Sequence, residues 1–355
     1  LILQHGGFWH APCSWEGVRH EENGGTHHLQ REEYRMSFVP ARRLAGILAG
    51  TVMAVGTGAG AVQAQEFINI LTGGTSGVYY PLGVALSEIY AENIDGARTQ
   101  VQATKASVEN LNLLQQGKGE LAFALGDSVK AGWDGVEEAG FPGPLTELRA
   151  IAAIYPNYVQ IVASAESGIQ TLDDLKGKSM SVGAPASGTE LNARAIFAAA
   201  GMSYEDLGKV EYLPYAESAE LIKNRQLDST LQSSGLGVAF IKDLAATMEI
   251  NIVAVPAEVV EAVGAPYVPS VIPAGTYDGQ DEDVATAAIG NILVTHAGVS
   301  DELAYQMTKL LFENLERLKA SHAAAGAIDV KKAIEGLAIP LHPGAERYYK
   351  EIGLL

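Results

Sequence analysis

The sequence predicts an α/β fold made of two units of one architectural kind. Three observations carry this. From residue 66 onward, short apolar runs alternate with amphipathic stretches of helical period. The turns after several of those runs are rich in glycine, as expected where strands of a parallel sheet feed helices. The alternation pauses at Pro142 and Pro144 and then starts again.

The elements follow in order. Glu66–Thr72 (EFINILT) is a short apolar strand, and from Pro81 onward Leu82, Leu86, Ile89 and Tyr90 recur at helical spacing. TQVQAT alternates as a second strand should. SVENLNLLQQG puts Val108, Leu111 and Leu114 on one helix face and stops at Gly117, a C-capping glycine. ELAFAL is a third, buried strand. After the prolines, LRAIAAIY and YVQIVAS read as two strands. A turn, a short helix and a strand follow in GIQTLDDLKGKSMSV, then a second glycine-rich helix start in GAPASGTE and its helix, LNARAIFAAAG. KVEYLPY, SAELIKNRQLDS, GLGVAFIKDLAA and INIVAVP continue the alternation. Near the end, NILVTHAGVSDELAYQMTKLLFENLERL gives a strand and one long amphipathic helix bearing Leu303, Met307, Leu310 and Leu311.

Composition narrows the function classes. The 355 residues are enough for two domains, with 47% hydrophobic and 19% charged side chains. The net charge is −18, and no Lys/Arg cluster stands out beyond Arg42–Arg43, which argues against nucleic acid as a partner. Met36 opens a stretch with a positive flank (Arg42, Arg43), a short apolar segment (Leu44–Val55) and small residues at Ala61–Ala64. This is the grammar of a secretory signal, expected over residues 36–64 with cleavage after Ala64. The apolar segment is too short and glycine-rich for a membrane span, which needs roughly 20 apolar residues. A periplasmic location is therefore expected. Residues 1–35 precede that Met and read as translated upstream sequence; they hold five of the eight histidines and the only cysteine, Cys13. From residue 65 on there is no cysteine, so a thiol nucleophile and a cysteine-based zinc site are excluded there. His296, His322 and His342 are scattered, so no metal and no cofactor is expected.

Two stretches carry the functional signal. GGTSGVYYPLG (Gly73–Gly83) crowds glycines and hydroxyls at a helix start, and Pro81, which has no N–H, belongs in the first turn. The first N–H groups of a helix have no internal partner and carry partial positive charge, so an anion fits there beside Thr75 and Ser76. A tight corner would need the same glycines, and the residues alone leave both readings open. No GK[ST] follows, which excludes a nucleotide P-loop. The second stretch is SGTE, with Ser187 as N-cap and Glu190 placed to complete a capping box. It follows the strand SMSV, so it sits at the carboxyl end of a strand, where open α/β sheets bind ligands. Two such helix starts, one per unit, suggest a small anion gripped between them, with binding coupled to domain closure.

These stretches, together with ATKASVENLNLLQQGKGELAFALGDSV, AIYPNYVQIVAS, YAESAELIKNRQLDS and IPLHPGAERYYKEIGL, resemble the TAXI branch of TRAP-transporter solute-binding proteins over nearly all of residues 66–355. The resemblance implies a type II periplasmic-binding-protein fold: two α/β lobes joined by hinge strands, with a ligand cleft between them. It implies hinge strands at Tyr158–Ala165 and Ala288–His296, lobe I over residues 65–165 and 286–355, and lobe II over 166–285. It also implies a small organic acid as ligand, glutamate-like or a dicarboxylate, and the membrane subunits of a TRAP transporter as partner. On the first lobe it assigns Thr75, Ser76, Gly77, Tyr79 and Tyr80 to the carboxylate loop, Ser107 and Asn110 to the second helix start, and Asp127 and Ser128 to the third. Tyr155 falls in the hinge approach, and Ser187, Gly188, Thr189, Tyr215, Gln232, Ser233 and Ser234 fall on the second lobe. Two departures stand out: Asn157 replaces an acid common after the YP pair, and Lys105–Ala106 replaces a usual glycine before Ser107. Lys105 is either a partner for a second ligand carboxylate or a solvated surface lysine.

Catalysis is not expected. There is no G-x-S-x-G elbow and no H-E-x-x-H pair. A ligand sensor that presents its closed state to a membrane receptor, and a binding protein of an ATP-driven importer, are the alternative readings. A monomer is expected, because closure needs two free lobes.

Overall fold

The computed structural model describes residues 66–355. The expected signal segment and the residues before it lie outside the described residues. The first elements are β1 (Phe67–Leu71), α1 (Tyr79–Asn93), β2 (Arg98–Gln102), α2 (Ser107–Gln115), β3 (Leu121–Leu125) and α3 (Gly126–Asp134). β1 runs parallel to both β2 and β3. Along these strands successive side chains serve opposite faces of the sheet. Ile68, Ile70 and Phe123 join Leu82, Leu86 and Ile89 of α1 on one face. Leu71, Ala122 and Ala124 join Leu111 and Leu114 of α2 on the other. The expected cap at Gly117 forms: its φ is 65°, its N–H bonds to Leu114 O, and the next N–H, of Lys118, bonds to Leu113 O. A left-handed residue there closes the helix end, and glycine adopts it without a Cβ penalty.

The two strands expected at LRAIAAIY and YVQIVAS are one, β4 (Leu148–Ser164), and it runs straight through Pro156. Proline donates no ladder hydrogen bond, so a break is the natural expectation. Here Pro156 lies opposite Gly290 of β10 (Val284–His296), where the register shifts and a donor is not needed. The intervening chain forms β5 (Ser179–Ser181), α4 (Gly188–Ala199), β6 (Lys209–Glu211), α5 (Tyr215–Lys223), β7 (Ser229–Ser234), α6 (Ala239–Thr247), β8 (Ile250–Val253), α7 (Ala257–Val263) and β9 (Val268–Ile272). The long helix expected after β10 is two, α8 (Asp301–Glu313) and α9 (Leu315–Ser321), followed by α10 (Pro343–Glu351). Asn314 breaks it by turning its side-chain amide onto Leu310 O, a bond that competes with helix continuation.

The sheet order is β2-β1-β3-β10-β4-β7-β5-β6, with β8 added to β4 and β9 to β10. β4 and β10 are the bridge. Their paired stretch (Leu148–Tyr158 with Ala288–His296) adjoins β3 on one side. Beyond it β4 pairs with β7 and β8, and β10 pairs with β9. On one side of this bridge lie β1–β3, and on the other β5–β7. Ile161, Met180, Ile196, Phe197 and Leu231 are fully or almost fully buried in one cluster, while Ile222 of α5 and Ile241 and Leu244 of α6 belong to the cluster that holds Leu82 and Ile89. Each such side chain contributes about 1.5–3 kcal/mol by leaving water. Ion pairs such as Lys130–Asp134 and Arg225–Glu166 join exposed side chains, each worth about 0–1 kcal/mol, so burial dominates the stability. His342 is a structural residue: Nδ1 accepts from Gly344 N–H at the start of α10, which leaves Nε2–H to donate to Val299 O. Burial holds it below the usual histidine range, so the ring is neutral.

Candidate functional site

The carboxyl ends of the strands converge on a cavity of ≈ 120 Å³ between the lobes. Its lining includes Val78, Ala106, Ser187 and Pro214, the N-caps of α1, α2, α4 and α5. Four helices therefore turn their positive ends toward one small space. Lys105, exposed at the edge, is the one charged side chain in the lining among the described residues.

A chain of hydrogen bonds encircles this space. Tyr79, stacked on Phe123 with ring centroids 5.0 Å apart, donates its hydroxyl to Asn291 Oδ1 at 2.5 Å. Asn291 Nδ2 donates to Asn157 Oδ1 at 2.8 Å, and Asn157 Nδ2 donates to Ser233 O at 2.8 Å. The same carbonyl accepts from the Tyr215 hydroxyl at 2.8 Å, which in turn accepts from Thr189 Oγ1 at 2.6 Å. The ring thus passes from α1 through β10, β4 and β7 to α5 and α4. Two buried hydroxyls beside it, those of Tyr155 and Ser233, have no partner. Both residues line the cavity. An unmade hydrogen bond in a buried site costs about 1–3 kcal/mol, and both hydroxyls are free to meet a ligand. Burial, and then the neighbouring Tyr79 and Tyr215, push the Tyr155 hydroxyl well above the usual tyrosine range, so it keeps its proton.

Of the seventeen residues that sequence reasoning assigned to the site, Gly77, Tyr79, Tyr155, Ser187, Thr189, Tyr215, Ser233 and Ser234 line the cavity. The others stand elsewhere, for physical reasons. Thr75 is exposed, and Ser76 and Tyr80 are half-buried outside the lining. Asn110 is saturated: Nδ2 donates to Thr72 O at 2.6 Å and Phe123 O at 2.9 Å, and Oδ1 accepts from Thr104 Oγ1 at 2.6 Å. It holds the glycine loop from beneath. Ser107 Oγ accepts from Leu125 N–H at 3.1 Å, and Gln232 Nε2 donates to Thr230 Oγ1 at 2.5 Å.

Asp127 and Ser128 belong to a contact between the lobes. Asp127 Oδ2 accepts from Tyr267 Oη at 2.5 Å and Asn192 Nδ2 at 2.7 Å, while Oδ1 accepts from Ser128 N–H at 2.6 Å. Burial raises the Asp127 carboxyl above its ordinary value, against the pull of these donors. Gly188 is a second such contact. A Cβ on it would lie 2.6 Å from Ser107 Oγ and 2.7 Å from Leu125 Cδ1 of the first lobe. A third is Glu109 N–H, which donates to Ala186 O at 3.2 Å. The capping box expected at Ser187 forms only in half: Ser187 Oγ accepts from Glu190 N–H, but the Glu190 carboxylate turns to Arg194 and Tyr204.

Sequence reasoning missed Gly73, Gly74, Val78, Thr104, Ala184 and Pro214 in the lining. The proline before Tyr215 was the available signal, since an extended proline just ahead of a helix leaves the first N–H groups facing forward. Ala106 and Asn157, noted only as departures from the family pattern, also line the cavity.

Residues 70–353 match the model of the NMT1-like family. The chain belongs to the NMT1-like family. Among solved structures it is similar to the periplasmic binding protein BugD, with a TM-score of 0.52 at 11% identity over 82% of this chain and 98% of that one. That likeness establishes the fold of this family member as the two-lobed fold of periplasmic binding proteins. It is also similar to the binding component of an ABC phosphonate transporter from Pseudomonas aeruginosa (TM-score 0.49, 12% identity, 77% and 83% covered). A further likeness is to the aliphatic sulphonate binding protein SsuA from Escherichia coli (0.44, 14%, 80% and 83%). No helix among the described residues is long and apolar enough to cross a membrane.

Proposed function

We propose that this NMT1-like protein is a periplasmic solute receptor that encloses a small organic anion between its lobes and hands it to the membrane subunits of a TRAP transporter. The observation that carries the ligand class is the convergence of four helix N-caps on one cavity. Their aligned dipoles favour negative charge there without any arginine. The partner follows from the TAXI-like motifs of the sequence. We place lobe I at residues 65–165 and 286–355 and lobe II at 166–285, with β4 and β10 as the hinge, and the protein works as a monomer that closes by rotation about them. The contacts of Asp127 and Gly188 across the cleft are those of the closed form.

A thermal-shift panel of glutamate, 2-oxoglutarate, C4 dicarboxylates, monocarboxylates, phosphate and neutral sugars tests the ligand class. A ligand specific to the folded state adds about 2.7 kcal/mol at one hundred times its dissociation constant. A rise with one or more acids and none with sugars is expected. A rise with sugars alone sinks the anion reading. Uptake in vesicles carrying the membrane subunits tests the partner: dependence on a sodium gradient is expected, and dependence on ATP indicates an importer of the other kind.

A further inference from the structure

We infer that the cavity selects acids that carry no free ammonium group, so that a 2-oxo, 2-hydroxy or unsubstituted carboxylate binds ahead of the α-amino acid of the same skeleton. The inference rests on the anion reading above and narrows it. An α-ammonium is a strongly hydrated charge with three N–H donors; taken out of water it needs a carboxylate or several free acceptors. Among the described residues no acidic side chain lines the cavity.

Glu190, next in sequence to Thr189, is outside the lining and is held by Arg194 and Tyr204. Asp127 is outside the lining and accepts from Tyr267, Asn192 and Ser128. Glu109 accepts the backbone N–H of Lys105 at 2.6 Å and is outside the lining too.

Several neutral acceptors are engaged as well. The Ser233 carbonyl already takes two donors, from Asn157 and Tyr215. Asn157 Oδ1 is held by Asn291, and Gly74 O by Gly77 N–H. What the lining has left over are two neutral hydroxyls, those of Tyr155 and Ser233. A keto or hydroxyl oxygen beside the carboxylate accepts from these two groups, whereas an ammonium gains only their neutral lone pairs and no carboxylate to balance its charge. The four helix ends and Lys105 add repulsion to any cation.

Titration calorimetry of the intact protein with matched sets tests this: pyruvate, lactate and alanine; 2-oxoglutarate, 2-hydroxyglutarate and glutamate; 4-methyl-2-oxopentanoate and leucine. Within the best-bound skeleton, the oxo or hydroxy acid is expected to bind at least tenfold more tightly than the amino acid. Equal or tighter binding of the amino acid overturns the inference and leaves the anion reading standing. No binding by any member of the sets, with none by any acid in the thermal panel, overturns the anion reading and this inference together.

Discussion

Replacing Gly188 by Ala places a methyl group between the lobes and nowhere else. The new Cβ would lie 2.6 Å from Ser107 Oγ and 2.7 Å from Leu125 Cδ1, where carbon contacts settle at about 3.5–4.0 Å. The α4 start must therefore retreat by roughly 1 Å, because its neighbours cannot yield. Ser107 Oγ is fixed by Leu125 N–H, and Leu125 is buried in the same cluster as Ile161 and Ile196. Overpacking of this size costs about 1–3 kcal/mol. The cost falls on the closed form, since α4 belongs to one lobe and Ser107 and Leu125 to the other. Affinity for the solute is then expected to fall roughly 5- to 150-fold. Calorimetric titration measures this, and urea unfolding without solute is expected to show little change. An affinity within twofold of the parent refutes the closure argument. So does a loss of solute-free stability as large as the loss in binding, because the contact would then be part of the resting fold.

Two further substitutions probe the cavity wall. Tyr155→Phe removes a buried hydroxyl that has no partner, so unfolding stability is expected to hold, while solute affinity falls up to about tenfold, the worth of one hydrogen bond; unchanged affinity in titration means the hydroxyl does not meet the solute. Ala106→Gly relieves a residue at φ 75° and ψ −141°, where side chains are strained by about 1–3 kcal/mol, and even after the entropy cost of glycine a gain of about 1 kcal/mol is expected in urea unfolding; a loss of stability contradicts the strain.

Much of this was legible in the sequence because hydrophobic period reports burial, and burial decides the elements. The strand at Leu121–Leu125 and the helix stopping at Gly117 follow from local chemistry alone. Continuity through Pro156 did not, because it depends on what lies opposite, and Gly290 is 134 residues away in the chain. The site divides in the same way. A glycine loop at a helix start announces free N–H groups, yet which hydroxyls face the cavity is set by tertiary bonds. Thr75 and Tyr79 stand in one loop-to-helix segment, and only the second reaches inward, because Phe123 and Asn291 hold it there. Asn110 has the chemistry of a ligand contact and spends it on Thr72 O, Phe123 O and the Thr104 hydroxyl.

The sheet order also constrains how the chain is assembled. β10 lies between β3 and β4, yet it is the last strand to be synthesised. A growing chain that has completed β4 owns every earlier strand of the first lobe and still has a gap in the middle of the sheet. That gap is flanked by apolar edges at Leu121–Leu125 and Leu148–Ala153. The second lobe, by contrast, can gather most of its strands in one unbroken stretch. The first lobe must therefore wait for the chain beyond Val284, while the lobe made later can begin before it. Such a delay keeps the first lobe's sheet open until the chain beyond Val284 has been made.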